Sequence, residues 1–194
     1  MQIIIYNQKG GVGKSMLATQ IALHFDTSII ELDPYGMLSQ TLDDRVVKIE
    51  LNEEVPHISE GDVIYDFGGF DDIRLDKISK NVDLVIIPFN PTINSLGTTL
   101  ESYERVKKLN VPVLFIVNAY VKDSDVEDAI SFLCENSQDE IEYFTIPHTR
   151  ALQTAENEGV GIIEFAASSG LKKHTYKKIS GIMKNLMIKI QEYV

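Results

Sequence analysis

Six short apolar runs divide this chain: Gln2–Asn7, Ser28–Asp33, Asp62–Phe67, Asp83–Phe89, Pro112–Asn118 and Glu142–Pro147. Most are solidly apolar rather than alternating. A strand with one face in water alternates apolar and polar residues, whereas a solid strand must be covered on both faces, as in a parallel sheet between helices. Val46–Glu50 is a weaker candidate suited to a sheet edge. Helix-period segments fill the intervals. Ser15–Phe25 aligns Leu17, Ile21 and Phe25, and Asp125–Glu135 aligns Val126, Ala129, Ile130 and Leu133. Ser124 and Glu127 there fit a capping box. A last helix over about Leu171–Tyr193 aligns Ile179, Ile182, Met183, Leu186 and Ile190. The alternation predicts a doubly wound, mostly parallel α/β sheet with helices on both faces, as one domain over residues 1–194.

Composition narrows the function classes. The longest apolar stretch, Val111–Val117, falls far short of the ~20 residues that span a bilayer. No basic-led secretory segment opens the chain, so a cytoplasmic protein is expected. The single cysteine, Cys134, excludes an internal disulfide and a multi-cysteine metal site within one chain. Histidines 24, 57, 148 and 174 form no close pair of the kind zinc requires. The net charge of −11 argues against a general nucleic-acid coat. Its distribution is uneven: residues 171–194 hold six of the 18 basic residues and one acid, Glu192. Lys172, Lys173, Lys177 and Lys178 would lie on one broad side of the last helix. A solvated face explains them, and so does a surface that neutralises phosphates without reading bases.

The chemistry concentrates in Tyr6-Asn7-Gln8-Lys9-Gly10-Gly11-Val12-Gly13-Lys14-Ser15, which follows a strand and opens a helix. In that context glycines 10, 11 and 13 let consecutive backbone N–H groups curl around an anion, and the helix start adds its positive end. Lys14 can reach the β- and γ-phosphates, and the Ser15 hydroxyl can ligate Mg²⁺. A plain glycine turn would not need Gly-Lys-Ser at this junction. Asp33 and Asp66 end neighbouring apolar runs, at the carboxyl edge where open α/β sheets bind ligands.

Lys9-Gly10-Gly11-Val12-Gly13-Lys14-Ser15 resembles the deviant Walker A motif of the ParA/MinD family of ATPases, in which an extra lysine reaches the partner subunit's nucleotide. Glu31-Leu32-Asp33-Pro34 resembles that family's switch I, whose second acid orients the attacking water. Val63-Ile64-Tyr65-Asp66 resembles its Walker B strand, which holds Mg²⁺ through water. Asn118 resembles the adenine-reading asparagine. Ile146-Pro147, with His148 after it, and Ala155-Glu156-Asn157-Glu158-Gly159 resemble the loop and helix that close over the base. The resemblance implies ATP and Mg²⁺ as cofactors, with residues Gln8 to Met16 along the nucleotide. It also implies weak intrinsic hydrolysis raised by a partner, and a homodimer formed on ATP.

The chain departs from the family at Met16, Tyr35, Met37 and Gly68-Gly69. Met16 removes a hydroxyl usual after Ser15, and the glycine pair replaces a common proline pair. The implied function is partition of plasmid or chromosomal DNA, with nonspecific DNA binding through the lysine-rich end, nucleoid association when ATP is bound, and a ParB-like centromere-binding partner. The phosphate loop begins at residue 8, so no helix-turn-helix domain is expected before it. The alternative is a MinD-like spatial regulator of a membrane-associated or protein cargo. Against an anchor, the apolar stripe of the last helix runs into the chain end without linker or tryptophan, so no stable membrane insertion is expected. A metabolic ATP-dependent ligase is a third class, and Lys9 argues against it.

Overall fold

Residues 1–78 and 81–194 are described by a computed structural model. Among the described residues all seven strands are parallel, in the order β3-β2-β4-β1-β5-β6-β7. They are β1 (Gln2–Ile5), β2 (Ser28–Glu31), β3 (Val46–Lys48), β4 (Val63–Asp66), β5 (Leu84–Phe89), β6 (Val113–Tyr120) and β7 (Tyr143–Pro147). Each expected run forms a strand, and the weak candidate at Val46 is indeed an edge.

Strand periodicity sends alternate residues to opposite faces. Ile3 and Ile5 join one core cluster, while Ile4 and Tyr6 join the other. The first cluster packs α1 (Lys14–Phe25), α6 (Ala151–Glu156), α7 (Ile162–Ala167) and α9 (Lys177–Gln191) on the sheet. The second packs α3 (Leu75–Ile78), α4 (Ile93–Lys107) and α5 (Asp123–Ser137). Between β2 and β3, α2 (Leu38–Thr41) contributes Leu38 to the first cluster. Connections running toward β3 therefore cover one face and those running toward β7 the other, as right-handed crossovers demand.

The structure corrects two expectations. α5 starts earlier than predicted, so its capping box is not Ser124 with Glu127: the Asp125 carboxylate accepts from the Lys122 N–H at 3.3 Å. The last helix is two helices, α8 (Gly170–Thr175) and α9, parted at Tyr176. Lys172 and Lys173 thus ride on a different helix from Lys177 and Lys178. The structure also adds α4, a long helix that periodicity conceals, because it buries Ser95, Thr99 and Ser102 as well as Val106. The Thr99 and Ser102 hydroxyls bond Asn7 and Gln8 of the loop after β1.

Along α9, Ile179, Met183, Leu186, Met187 and Ile190 are buried in the first core cluster. The apolar stripe is core packing. Among the described residues, no helix is long and apolar enough to cross a membrane.

Candidate functional site: the loop edge of the sheet

The loop after β1 is held from beneath by one fully buried side chain. Asn7 Nδ2 donates to the Pro88 carbonyl at 2.9 Å and to Thr99 Oγ1 at 3.0 Å. Its Oδ1 accepts from the Lys9 N–H at 2.8 Å and from the Ser102 hydroxyl at 3.3 Å. Ser102 Oγ in turn accepts the Gln8 N–H at 3.0 Å. Both amide hydrogens and both Oδ1 lone pairs of Asn7 are used, so the loop's first half has one placement. The Gln8 side chain donates to the Tyr6 hydroxyl at 3.1 Å, and burial pushes that phenol up to about 12.

The second half is held from the other side. Gly13 adopts φ of 100°, left-handed backbone open to glycine, and a Cβ there would collide with Asn118 Nδ2. Asn118 itself donates to the Val12 carbonyl at 2.8 Å. Asn118 therefore braces the loop, leaving its Oδ1 as the group available to a ligand. The residue after it, Ala119, has φ of 57° at a β-bulge between β6 and β7. This local strain turns the chain at the strand's end.

Lys14 is 6% exposed, and its ammonium donates to the Lys9 carbonyl at 2.9 Å. Burial lowers its pKa, and Asp66 and Asp33 oppose that shift. Lys9 is half-buried, and its ammonium has no partner among the described residues. Asp66 is fully buried, and neither of its carboxylate oxygens has a hydrogen-bond partner among those residues. Burial raises its pKa to about 7, and the adjacent Ser15 hydroxyl and Lys14 offset only part of the rise. A buried carboxylate without donors beside a serine hydroxyl is the donor set a divalent cation takes. Ser15 and Asp66 fit Mg²⁺.

Asp33 accepts the Tyr35 N–H at 2.9 Å. The loop carrying it is fixed by Lys48, which no motif includes, and by Glu31. Lys48 donates to the carbonyls of Pro34 and Gly36 at 3.0 and 2.9 Å, and the buried Glu31 accepts the Leu38 N–H at 2.7 Å. Gly69 explains the glycine pair after Asp66. A Cβ at that position would stand 2.9 Å from the backbone of Gly10 and 3.4 Å from that of Lys9, so the segment after β4 lies directly on the phosphate loop.

Two hollows flank α6. One of about 310 Å³ touches Ser15, Met16, Thr19 and Met37, with Glu156 on its wall. Burial raises the Glu156 carboxyl to about 7. The other, of about 440 Å³, is lined by Pro147, His148, Arg150 and Lys178. Asn118 lines neither, although Tyr120 on the same strand pairs in register with Pro147. Of the four predicted lysines at the basic end, Lys172 is tied down: it pairs with Glu158 at 3.0 Å and lies 3.7 Å from the Phe165 ring centroid. Lys173, Lys177 and Lys178 are exposed. Arg150 joins them. The other three arginines are in ion pairs, and Arg150 has none among the described residues.

A parallel, doubly wound sheet with a glycine-rich Lys-Ser loop between β1 and α1 defines a P-loop nucleotide-binding protein. Residues 3–162 match the CobQ/CobB/MinD/ParA nucleotide binding domain, and the chain belongs to that family. The fold is shared with a ParA family ATPase from Chlorobium tepidum, at 16% identity and a TM-score of 0.65, covering 96% of this chain and 97% of that one. MinD from Pyrococcus horikoshii complexed with Mg-ADP gives 17% identity and a TM-score of 0.63, over 97% of this chain and 95% of that one. The ATP complex of a McdA variant from Cyanothece gives 14% identity and a TM-score of 0.64, over 95% of each chain. No curated protein matches in sequence.

Proposed function

We propose that this chain is a ParA-type ATPase switch that dimerises on ATP–Mg²⁺, binds DNA without reading its sequence and drives partition of plasmid or chromosomal DNA. Hydrolysis is weak until a ParB-like centromere-binding partner stimulates it. The observation that carries this reading is the unequal pair of lysines in one loop. Lys14 is folded back onto the Lys9 carbonyl, whereas the Lys9 ammonium, on the same edge, has no partner among the described residues. A cation left over there suits a phosphate presented by a second subunit. The surroundings agree: Tyr35, Met37, Ile73, Ile93 and Val121 are exposed apolar side chains following the ends of β2, β4, β5 and β6. Apolar groups gathered around a polar centre suit an interface.

The backbone from Gln8 to Ser15 cradles the phosphates, with Lys14 at the β- and γ-groups and Met16 beside the nucleoside. Ser15 would hold Mg²⁺ directly and Asp66 through its water shell, and the ion would supply charge neutralisation at the phosphates. Asp33 orients the attacking water. Asn118 Oδ1, Pro147 and His148 face the base. Lys173, Lys177 and Lys178, with Arg150, are the phosphate-tracking surface, doubled in a dimer. The buried stripe of α9 disfavours a lipid anchor built from that helix, which sets the membrane-bound MinD-like role second.

Light scattering after size exclusion tests the dimer. With ATP the parent should double its mass. Lys14→Ala should lose nucleotide binding by about 100-fold or more, having lost its phosphate cation. Lys9→Ala should bind ATP as a monomer. If Lys9→Ala doubles its mass like the parent, the sandwich is wrong. Flotation with anionic vesicles, set against DNA binding, separates partition from membrane positioning.

A further inference from the structure

The most completely bonded side chain outside the phosphate loop is Arg74, which no motif includes. It is buried, 5% exposed at the side chain, against Asp72 at 2%. All five of its N–H donors have acceptors. Nε and one Nη2 hydrogen go to the Asp72 carboxylate, at 3.0 and 2.6 Å. The Nη1 pair goes to the carbonyls of Ile49 and Glu50, at 3.2 and 3.1 Å. The remaining Nη2 hydrogen goes to the Leu32 carbonyl at 2.7 Å.

That last bond is the informative one. The Leu32 carbonyl belongs to the peptide group whose nitrogen is that of Asp33. A guanidinium bonded to it fixes the plane from which the Asp33 side chain departs. Leu32 is simultaneously held through its N–H to the Asp66 carbonyl at 2.8 Å. The ends of β2, β3 and β4 thus meet on one planar cation. A buried ion pair by itself is weak evidence of net stabilisation, since desolvation offsets the attraction. Three backbone carbonyls from two other segments are not needed to neutralise Asp72. They are needed to hold those segments in register.

We propose that Arg74 is the positioning residue for Asp33, locking the segment after β4 to the loop that carries the water-orienting carboxylate. The inference rests on the proposed role of Asp33. It gives the Asp72–Arg74 turn a function: movement of the segment that Gly69 lays on Gly10 is transmitted through Arg74 to Leu32 and Asp33. Lysine cannot substitute, because its three donors lack the planar fork.

The test compares the parent with Arg74→Lys, Asp33→Ala and the double variant, in single-turnover phosphate release and AMPPNP affinity. Hydrogen–deuterium exchange over residues 32–37 is followed in the nucleotide-free protein. Arg74→Lys should slow release about 10-fold or more, the scale of a misplaced reacting group. It should change AMPPNP affinity by less than about threefold, separating binding from chemistry. Exchange over 32–37 should quicken. The double variant should be no slower than Asp33→Ala, because two residues serving one function are not additive. Asp72→Asn provides a second variant, since its amide oxygen can still accept from Arg74. It should lower the melting temperature while release stays within about threefold of the parent.

Unchanged release in Arg74→Lys overturns the proposal. So does multiplicative slowing in the double variant, or slowing that tracks melting temperature across Arg74→Lys and Asp72→Asn alike. If Asp33→Ala turns over at the parental rate, the role of Asp33 fails first and the proposal falls with it.

Discussion

The loop edge around Lys14 and the basic end around Lys177 both present lysines, in opposite settings. Lys14 is buried, hydrogen-bonded and electrostatically coupled to Asp33 and Asp66. Lys173, Lys177 and Lys178 are exposed. At the first region the fold dictates where each charge stands, so position and chemistry are inseparable. At the second the fold supplies only a platform. Substitutions at the loop edge should therefore move stability and function together, and those at the basic end should move function alone.

Asn7 is the strongest place to break that contrast. Asn7→Ala leaves the Pro88 carbonyl, the Thr99 and Ser102 hydroxyls and the Lys9 N–H short of a partner. Stability should fall by about 3 kcal/mol in urea titration, from several buried groups left unpaired. ATP affinity should fall with it, because the loop's first half loses its placement. A variant as stable as the parent would show that the loop is held by its glycines and not from beneath.

Asp66 inverts the sign. Burial raises its pKa to about 7, so the folded protein keeps that proton at pH values where the unfolded chain has released it. Such a raised carboxyl costs stability, increasingly as pH climbs from about 4 to 7, with the full cost above that. Asp66→Asn should consequently gain about 2 kcal/mol at pH 8, less than the whole shift because the amide also lacks partners. The gain should vanish by about pH 4. The same variant should lose Mg²⁺-dependent nucleotide affinity. A chain that sacrifices stability at a carboxylate is using it. Chemical denaturation at pH 8 and pH 4 checks the sign, and equal stability at both sites the charge elsewhere.

Much of this arrangement is legible in the sequence, for identifiable reasons. Solid apolar runs report a sheet covered on both faces, and Gly13, Lys14 and Ser15 are too specialised to arise as filler. What stays hidden is support. Asn7, Lys48, Arg74 and Ser102 act through backbone carbonyls and amides far away in sequence, and such acceptors leave no trace in residue identity. α4 escapes notice because its inner face is polar where it meets the phosphate loop. The long terminal helix breaks at Tyr176, whose ring packs 5.1 Å from that of Phe165. That tertiary contact has no local signature.

Ala119 is a smaller test, at the far side of the loop edge. A non-glycine residue at φ of 57° pays for its conformation. Ala119→Gly should stabilise by about 0.5–1 kcal/mol, after the added freedom of the unfolded chain is subtracted. If Asn118 depends on that turn, nucleotide affinity should stay at the parental value, since the backbone is unchanged. Destabilisation would mean that the methyl group packs usefully and the turn is not strained.

The smallest expected change in stability belongs to the basic end, where it sharpens the contrast most. Replacing Lys173, Lys177 and Lys178 together with glutamate removes exposed charges and no buried partner. Stability should move by less than about 0.5 kcal/mol, as for surface positions generally. Lys172 serves as the internal control. Lys172→Ala loses its ion pair with Glu158 and its place over the Phe165 ring, and should cost about 1 kcal/mol. DNA binding should show the reverse order. Each phosphate released flattens the slope of log affinity against log salt by about 0.9, so the triple variant should lose up to ~3 in slope per subunit. Lys172→Ala should lose almost none, because its ammonium is already neutralised. ATP-driven dimerisation should be unaffected in both. Should Lys172→Ala flatten the slope as much as each of its exposed neighbours, Glu158 yields its lysine to DNA, and the division between held and free charge does not extend to this end of the molecule.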